Sequence, residues 1–563
     1  MTSPAAPANG PAAPVLRASD LTRCRHRIHR AATLPRGVAL PEESGSVAQR
    51  REAAADHREQ VRARLSEDHR RHNPRETWAE DVHGEALAAA DPAARPDRVW
   101  NARLPRELDT LRAGGVDLLI RDDDRGGYIP VIVVNHKVTD PGSGAATSPM
   151  GAWAPRADPH RKMRGQTRDQ VRLAHVTRML ERLGLASPAR MGGAIGYDAD
   201  CIVAYDLGGP GGILEQYDAR YADRQAVARG LVDTAPARVA ECASCPFWHD
   251  LTGPDGRTVD GCGTVLRERH DVSLVATGHR GTMLRAAGIG TIDRLAAWQG
   301  RGPDEWHGGG FDDTVVSARA WLVDEPLVRR GPRVTVPRAD VEVDVDMESY
   351  QEHGAYLWGT LVTDDGADLG YRPFVTWDPV PTDDEARSFA EFWTWLMRLR
   401  DGALAEGRTF AAYCYSQNAE NKWLLGSATR FQGYPAIPSV DEVRGFIESD
   451  HWVDIFEYVG ENFVSPRGRG LKVLARFAGF DWRDDDAGGE ASMAWYREAV
   501  GFDGDAPALD QRTRVLEYNE DDVRATKALR EWMSDEAADE VPSVDDLPVP
   551  GEAELRAIEA ALG

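Results

Sequence analysis

The sequence predicts an α/β protein with two folded domains, and three observations carry that prediction. Its 563 residues are enough for two or three separately packed cores. Hydrophobic residues at 42% and charged residues at 28% are globular proportions. In both halves, short Val/Ile-rich runs alternate with longer helical patterns. Residues 1–15 (MTSPAAPANGPAAPV) are an Ala/Pro-rich flexible tail, lacking the basic and apolar regions of a signal peptide. Residues 16–278 form the first expected domain. Its strands fall at 116–121 and 128–138, joined by an acidic turn, with further strand pattern around 193–206. Basic helix 169–183, helix 214–229 and a cysteine-bearing region at 241–263 complete it. Residues 279–300 read as helix, Gly-containing turn, helix, and 301–338 as a Gly/Pro-punctuated linker. A second domain spans 339–533: strand VEVDVDM, strand YLWGTLVT, a helix at 384–400, strand TFAAYCYS, then more helices. Residues 534–563 are an acidic tail.

Charge and cysteine content narrow the function. The net charge of −24 argues against a protein that coats nucleic acid through bulk positive charge. It leaves room for a local basic groove and for acids gathered around metals. Six cysteines are too few for a disulfide framework, so a cytoplasmic chain is expected. No run approaches the ~18 apolar residues of a membrane span.

The second domain is rich in placed carboxylates. Asp346 and Glu348 end a valine-rich strand, and residues i and i+2 share a face. Two carboxylates aligned this way call for a counter-charge such as a divalent cation, or else form a solvated acidic edge. Glu420 follows the strand at 409–416 into a helix. Tyr518 and Asp522 are i and i+4 on a later helix and stack on one face. Asp454 and the Gly-Leu-Lys run ending at Lys472 stand between them.

This order of motifs (Asp-x-Glu, Tyr…Glu, Asp…Gly-Leu-Lys, Tyr-Asn-x-x-Asp) resembles the RNase H-like exonuclease domain of YprB-type proteins, relatives of the DEDD 3′–5′ exonucleases. The resemblance covers residues 339–533. It implies an RNase H-like fold and two-metal phosphodiester hydrolysis with Mg²⁺ or Mn²⁺. Asp346, Glu348, Glu420 and Asp522 would be the metal carboxylates, and Tyr518 would orient the attacking water. Asp454 is a secondary candidate that could equally brace a helix. Lys472 could meet a phosphate or stay solvated. Asp344 and Asp521 are expected to face away from the centre.

The cysteines carry a second resemblance. Cys242-Ala243-Ser244-Cys245, then Cys262, with Cys24 far upstream, resembles the iron–sulfur staple of RecB-type and AddB-type nucleases. It implies a [4Fe–4S] cluster on Cys24, Cys242, Cys245 and Cys262. A Cys₄ zinc site is the alternative, and unligated thiols a third reading. Cys201 and Cys414 read as buried packing residues. The RecB-like resemblance further implies a PD-(D/E)xK restriction-endonuclease-like domain. Asp117 supplies its first acid and Lys137 its lysine, but Asn135, or Ile132 in the other register, stands where the second acid belongs. A degenerate, DNA-holding domain is therefore expected, with Asp117 and Lys137 as candidates should it be active. The segment at 279–300 resembles a helix-hairpin-helix, whose turn amides can bind a DNA phosphate.

The combined expectation is a metal-dependent nuclease, a 3′–5′ exonuclease acting on DNA in repair or recombination. Nucleic acid would be its partner, with a helicase or repair protein as a further one and no membrane. Two alternatives stand beside it: a non-catalytic nucleic-acid-binding scaffold, and an RNA-directed exonuclease.

Overall fold

The computed structural model describes residues 15–42, 45–72, 76–304, 306, 310–484, 489–502, 504 and 506–562. The tail expected at 1–15 lies, except for Val15, outside the described residues. The chain divides into two compact units, Met1–Glu268 and Arg269–Gly563. The helical hairpin at 279–300 therefore belongs to the second unit.

The first unit is built on an eight-stranded mixed sheet. Its strands are β1 (Trp78–Glu80), β2 (Arg98–Arg103), β3 (Gly115–Arg121), β4 (Tyr128–Val133), β5 (Ala145–Ser148), β6 (Arg156–Asp158), β7 (Met191–Ile195) and β8 (Ile202–Asp206). The order across the sheet is β1-β2-β3-β4-β7-β8-β5-β6. Strands β2, β3 and β4 form an antiparallel meander. Helix α2 (Thr167–Arg182) lies between β4 and β7, which pair in parallel, as a crossover connection requires. Helix α1 (Gly45–His72) precedes the sheet, and α3 (Ile213–Ala228) follows β8.

Strand β4 is shorter than the run of valines and isoleucines suggests. It stops at Val133 rather than 138: the Val133 amide donates to the Asp117 carboxylate at 2.8 Å, and the Val134 amide makes the last bond to the neighbouring strand, at the Ile195 carbonyl. Asn135, His136 and Lys137 thus lie beyond the strand.

The second unit holds a five-stranded sheet: β9 (Val341–Tyr350), β10 (Gly354–Asp364), β11 (Ala367–Val375), β12 (Phe410–Cys414) and β13 (Trp452–Asp454), ordered β11-β10-β9-β12-β13. The pairs β9/β10 and β10/β11 are antiparallel; β9/β12 and β12/β13 are parallel. Alternation along β9 divides its side chains between two faces. Val341, Val343, Val345 and Met347 enter the core with Phe389, Phe392 and Trp393 of helix α4 (Asp384–Ala405). Glu342, Asp344, Asp346 and Glu348 occupy the opposite face, where helix α7 (Leu509–Asp535) packs. Two further helices bear on the site, α5 (Asn418–Arg430) and α6 (Gly489–Val500).

Segments read as linker and tail are packed. Within 301–338, helix Phe311–Leu322 buries Val315 and Ala318, and Val328 pairs with Val464. Beyond 533, Val541 joins the core around Trp532, and Leu547 packs against Val328 and Val464. These isolated apolar side chains are enough to seat otherwise polar segments.

Candidate active site

The site begins with the alternation on β9, which sends Asp346 and Glu348 to the same face. Helix α7 crosses that face and presents Tyr518, Asn519 and Asp522, residues related by i+3 and i+4 spacing. Ligand oxygens of Asp346, Glu348 and Asp522 lie within 4.8 Å of one another. Among the described residues this is the group of three or more His, Cys, Asp or Glu that meets that distance.

Each carboxylate is held by a neutral donor. Asn519 Nδ2 donates to Asp346 Oδ2 at 2.7 Å, and Asn519 Oδ1 accepts from the Tyr371 hydroxyl at 2.8 Å. Ser492 Oγ on α6 donates to Glu348 Oε2 at 2.8 Å, and Trp482 Nε1 donates to Asp522 Oδ1 at 2.7 Å. Gly359 on β10 sits directly across from Asp346, and a Cβ there would lie 1.6 Å from Asn519 Oδ1. The glycine makes room for the amide that orients Asp346.

None of these donors neutralises the acids. Burial, then the charges of Asp522, Glu348 and Glu420, push the Asp346 carboxyl well above the usual carboxylate range. Burial, with Asp522 beside it, raises Glu348 to about 8. Asp522 is raised by burial too, with Lys472, Trp482 and Tyr518 working against the rise. Lys472, in the short helix Leu471–Leu474, donates to the Tyr518 hydroxyl at 3.3 Å and lies over the Trp482 ring. The Tyr518 hydroxyl in turn hydrogen-bonds Asp522. Burial among these acids raises the phenol far above its ordinary value, so it stays protonated.

Glu420 stands in the first turn of α5. It lies outside the group of three, yet its charge raises both Asp346 and Glu348. Its Oε2 is buried without a hydrogen-bond partner, and burial raises the carboxyl to about 8. Asp454, by contrast, has its oxygens occupied. It accepts from the amides of Ser416, Gln417 and Phe456 at 2.8, 3.1 and 2.9 Å, capping one helix and bracing the turn before α5. Asp521 faces away and pairs with Arg483 at 2.8 Å. Asp344 does not face away: it shares the face of β9 that carries Asp346 and Glu348, as its even spacing from Asp346 requires, and is paired with Arg530 at 2.9 Å.

A like site is missing from the described residues of the first unit. Asp117 is buried and ion-paired to Arg58 at 2.6 Å and Arg172 at 2.7 Å. Two guanidiniums already supply the counter-charge a cation would bring. Lys137 lies past the end of β4, and the neighbouring His136 is turned to Asp169 at 2.9 Å.

Cys24, Cys242, Cys245 and Cys262 do line one small pocket, walled by Phe247 and Trp248. The Cys24 amide donates to Glu241 Oε2 at 2.7 Å, tying the chain start to the distal cysteine region. Burial, followed by the neighbouring thiols, raises Cys262 to about 11. The four sulfurs are not gathered within 4.8 Å of each other. Cys201 and Cys414 are buried packing residues.

In the helical hairpin, helices His279–Ala286 and Ile292–Ala296 are joined through Gly288 at φ +79°. The amides of Gly288 and Ile289 close the first helix onto the carbonyls of Arg285 and Leu284.

Asn519, Ser492, Trp482 and Gly359 were not among the expected site residues. Only Asn519 had a legible signal, since it lies i−3 from Asp522 on the same helix face.

The RNase H superfamily model matches residues 428–534, which contain Lys472, Trp482, Tyr518, Asn519 and Asp522. No curated protein and no solved structure matches the chain. No described helix is long and apolar enough to cross a membrane. Residues 428–534 thus carry an RNase H-like match, to a superfamily whose members are generally phosphodiester-hydrolysing nucleases, and Asp522 within them belongs to the carboxylate cluster on the face that α7 covers.

Proposed function

We propose that this chain is a metal-dependent nuclease, a 3′–5′ exonuclease acting on DNA in repair or recombination, with its chemistry in the C-terminal domain. One observation carries the reading: Asp346 and Glu348 from one strand meet Asp522 from a helix far along the chain, their ligand oxygens within 4.8 Å of one another. The all-oxygen donor set fits hard Mg²⁺ or Mn²⁺. Such ions, when bound, supply the charge that activates water and stabilises the leaving oxygen. Asp346, Glu348 and Asp522 would hold them, and the unpartnered oxygen of Glu420 is the fourth donor. Asn519, Ser492 and Trp482 fix the carboxylate orientations. Tyr518, kept protonated, orients the attacking water, and Lys472 beside it faces the phosphate.

In this reading the first unit is a degenerate RecB-like domain that holds DNA. Its meander, crossover helix and parallel strand support the assignment, and the arginine-locked Asp117 supports the loss of activity. A [4Fe–4S] cluster on Cys24, Cys242, Cys245 and Cys262 would pin the chain start to the end of that unit. A helicase or another repair protein is the expected partner.

The test incubates a 3′- or 5′-labelled oligonucleotide, as DNA and as RNA, with Mn²⁺ and then with EDTA. Stepwise loss from the 3′ end of DNA, abolished by EDTA and by Asp346→Ala, is expected. Full activity in Asp346→Ala would refute the assignment. An anaerobic preparation should be brown with about four irons; a colourless, zinc-bearing protein would overturn the cluster.

A further inference from the structure

The sheet of the second unit has a second face, and it carries a groove separate from the carboxylates. Tyr371 on edge strand β11 reaches the catalytic face through Asn519, so its neighbour Arg372 points to the other side. There Arg372 lies over the rings of Phe374 and Trp395, at 4.9 and 5.4 Å. With Arg398, Trp395 and Tyr434 it lines a groove of about 630 Å³ between α4 and the turn at 434–436. The groove follows one face of α4 from Asp383 to Arg398, a length of about 22 Å. Ala386 and Ala390 keep its floor low.

Its charges are unevenly used. Arg387 is committed to Asp384 and Glu391, at 2.6 and 3.0 Å. Asp383 accepts a hydrogen bond from Tyr434, which is 42% exposed. Arg372 and Arg398 have no carboxylate partner among the described residues. Two unpaired guanidiniums beside the half-buried Trp395 ring and the exposed Tyr434 ring stand out on a chain of net charge −24.

We infer that this groove binds a single-stranded nucleic acid, with bases stacked on Trp395 and Tyr434 and phosphates on Arg372 and Arg398. Aromatic platforms beside cations are how proteins hold single strands without reading sequence. The length favours a strand of several nucleotides over a lone nucleotide. The inference rests on the nuclease reading for its biological sense: a strand seated here and passing around edge strand β11 would remain tethered while its end is trimmed. The binding itself does not require cleavage.

The experiment measures fluorescence anisotropy of a labelled twelve-nucleotide oligothymidylate with the full-length protein in EDTA, for the parent and for R372A/R398A. The double variant should bind at least about tenfold more weakly. Its log-affinity against log-salt slope should be shallower by about 1.4, the value for two lost phosphate contacts. Cleavage of thymidine 5′-monophosphate p-nitrophenyl ester with Mn²⁺, a substrate too small to span both sites, should be unchanged. Unaltered oligonucleotide binding in the double variant would overturn the inference. So would displacement of the oligonucleotide by thymidine monophosphate, or by an acidic peptide of equal charge, as effectively as by unlabelled strand. Arginine-dependent binding in a parent protein that does not cut would leave the groove standing and sink the nuclease reading instead.

Discussion

Arg530 on α7 donates to Asp344 Oδ2 on β9 at 2.9 Å, and both side chains are wholly buried. The same guanidinium reaches Glu342. Four acids alternate along one face of β9, and the helix crossing them treats the two ends differently. Glu342 and Asp344 receive an arginine; Asp346 and Glu348 receive an amide, a hydroxyl and another acid. The first pair is structural. The second has neutral donors and only the charge of Lys472 to offset it.

Arg530→Met should destabilise the second unit by about 3–5 kcal/mol, because it strands the buried Asp344 carboxylate without its counter-charge and leaves Glu342 with Arg338 alone. Urea unfolding followed by tryptophan fluorescence reads this directly. Loss below about 1 kcal/mol would mean that the network adds little.

Acid should unfold this unit partly through Glu342. Burial alone would raise that carboxyl, but the Arg338 hydrogen bonds and the Arg530 charge outweigh it and hold it at about 2, below its ordinary 4.5. A depressed carboxyl contributes stability above pH 4.5, and that contribution is lost as pH falls from 4.5 towards 2. Asp344, raised by burial, has the opposite sign. Comparing the parent with Glu342→Gln isolates the Glu342 part: the variant should lose less stability between pH 5 and 3.

Asn519→Ala and Gly359→Ala should weaken Mn²⁺ binding by about 10–100-fold while leaving all the carboxylates in place. The first removes the amide that orients Asp346, and the second fills the space that amide needs. Calorimetric Mn²⁺ titration checks both variants, and equal affinity in both would remove Asn519 from any positioning role.

Asp522→Asn should abolish cleavage and yet raise the melting temperature in EDTA, since it relieves repulsion among buried acids. In the parent, Mn²⁺ at about 100 times its dissociation constant should add about 2.7 kcal/mol, and the variant should gain far less. A variant that melts lower than the parent in EDTA would show that the cluster is not under electrostatic strain.

Period-two alternation on a valine strand and i, i+4 stacking on a helix are local rules. From sequence alone they picked out Asp346, Glu348, Tyr518 and Asp522, and the mixed α/β character of both halves was legible in the same way. That alternation also applied to Asp344, but it could not say that Arg530, 186 residues away, would neutralise it. Asn519 meets Asp346 across 173 residues and Ser492 meets Glu348 across 144. Chain folding decided these pairings, because a hydrogen bond or ion pair depends on distances that no local periodicity encodes. The same holds for Asp117, which looked like a metal acid until Arg58 and Arg172 closed on it, and for Asp454, whose oxygens the turn before α5 consumed. Local patterns determined which acids share a face, and tertiary contacts decided which of them received an arginine.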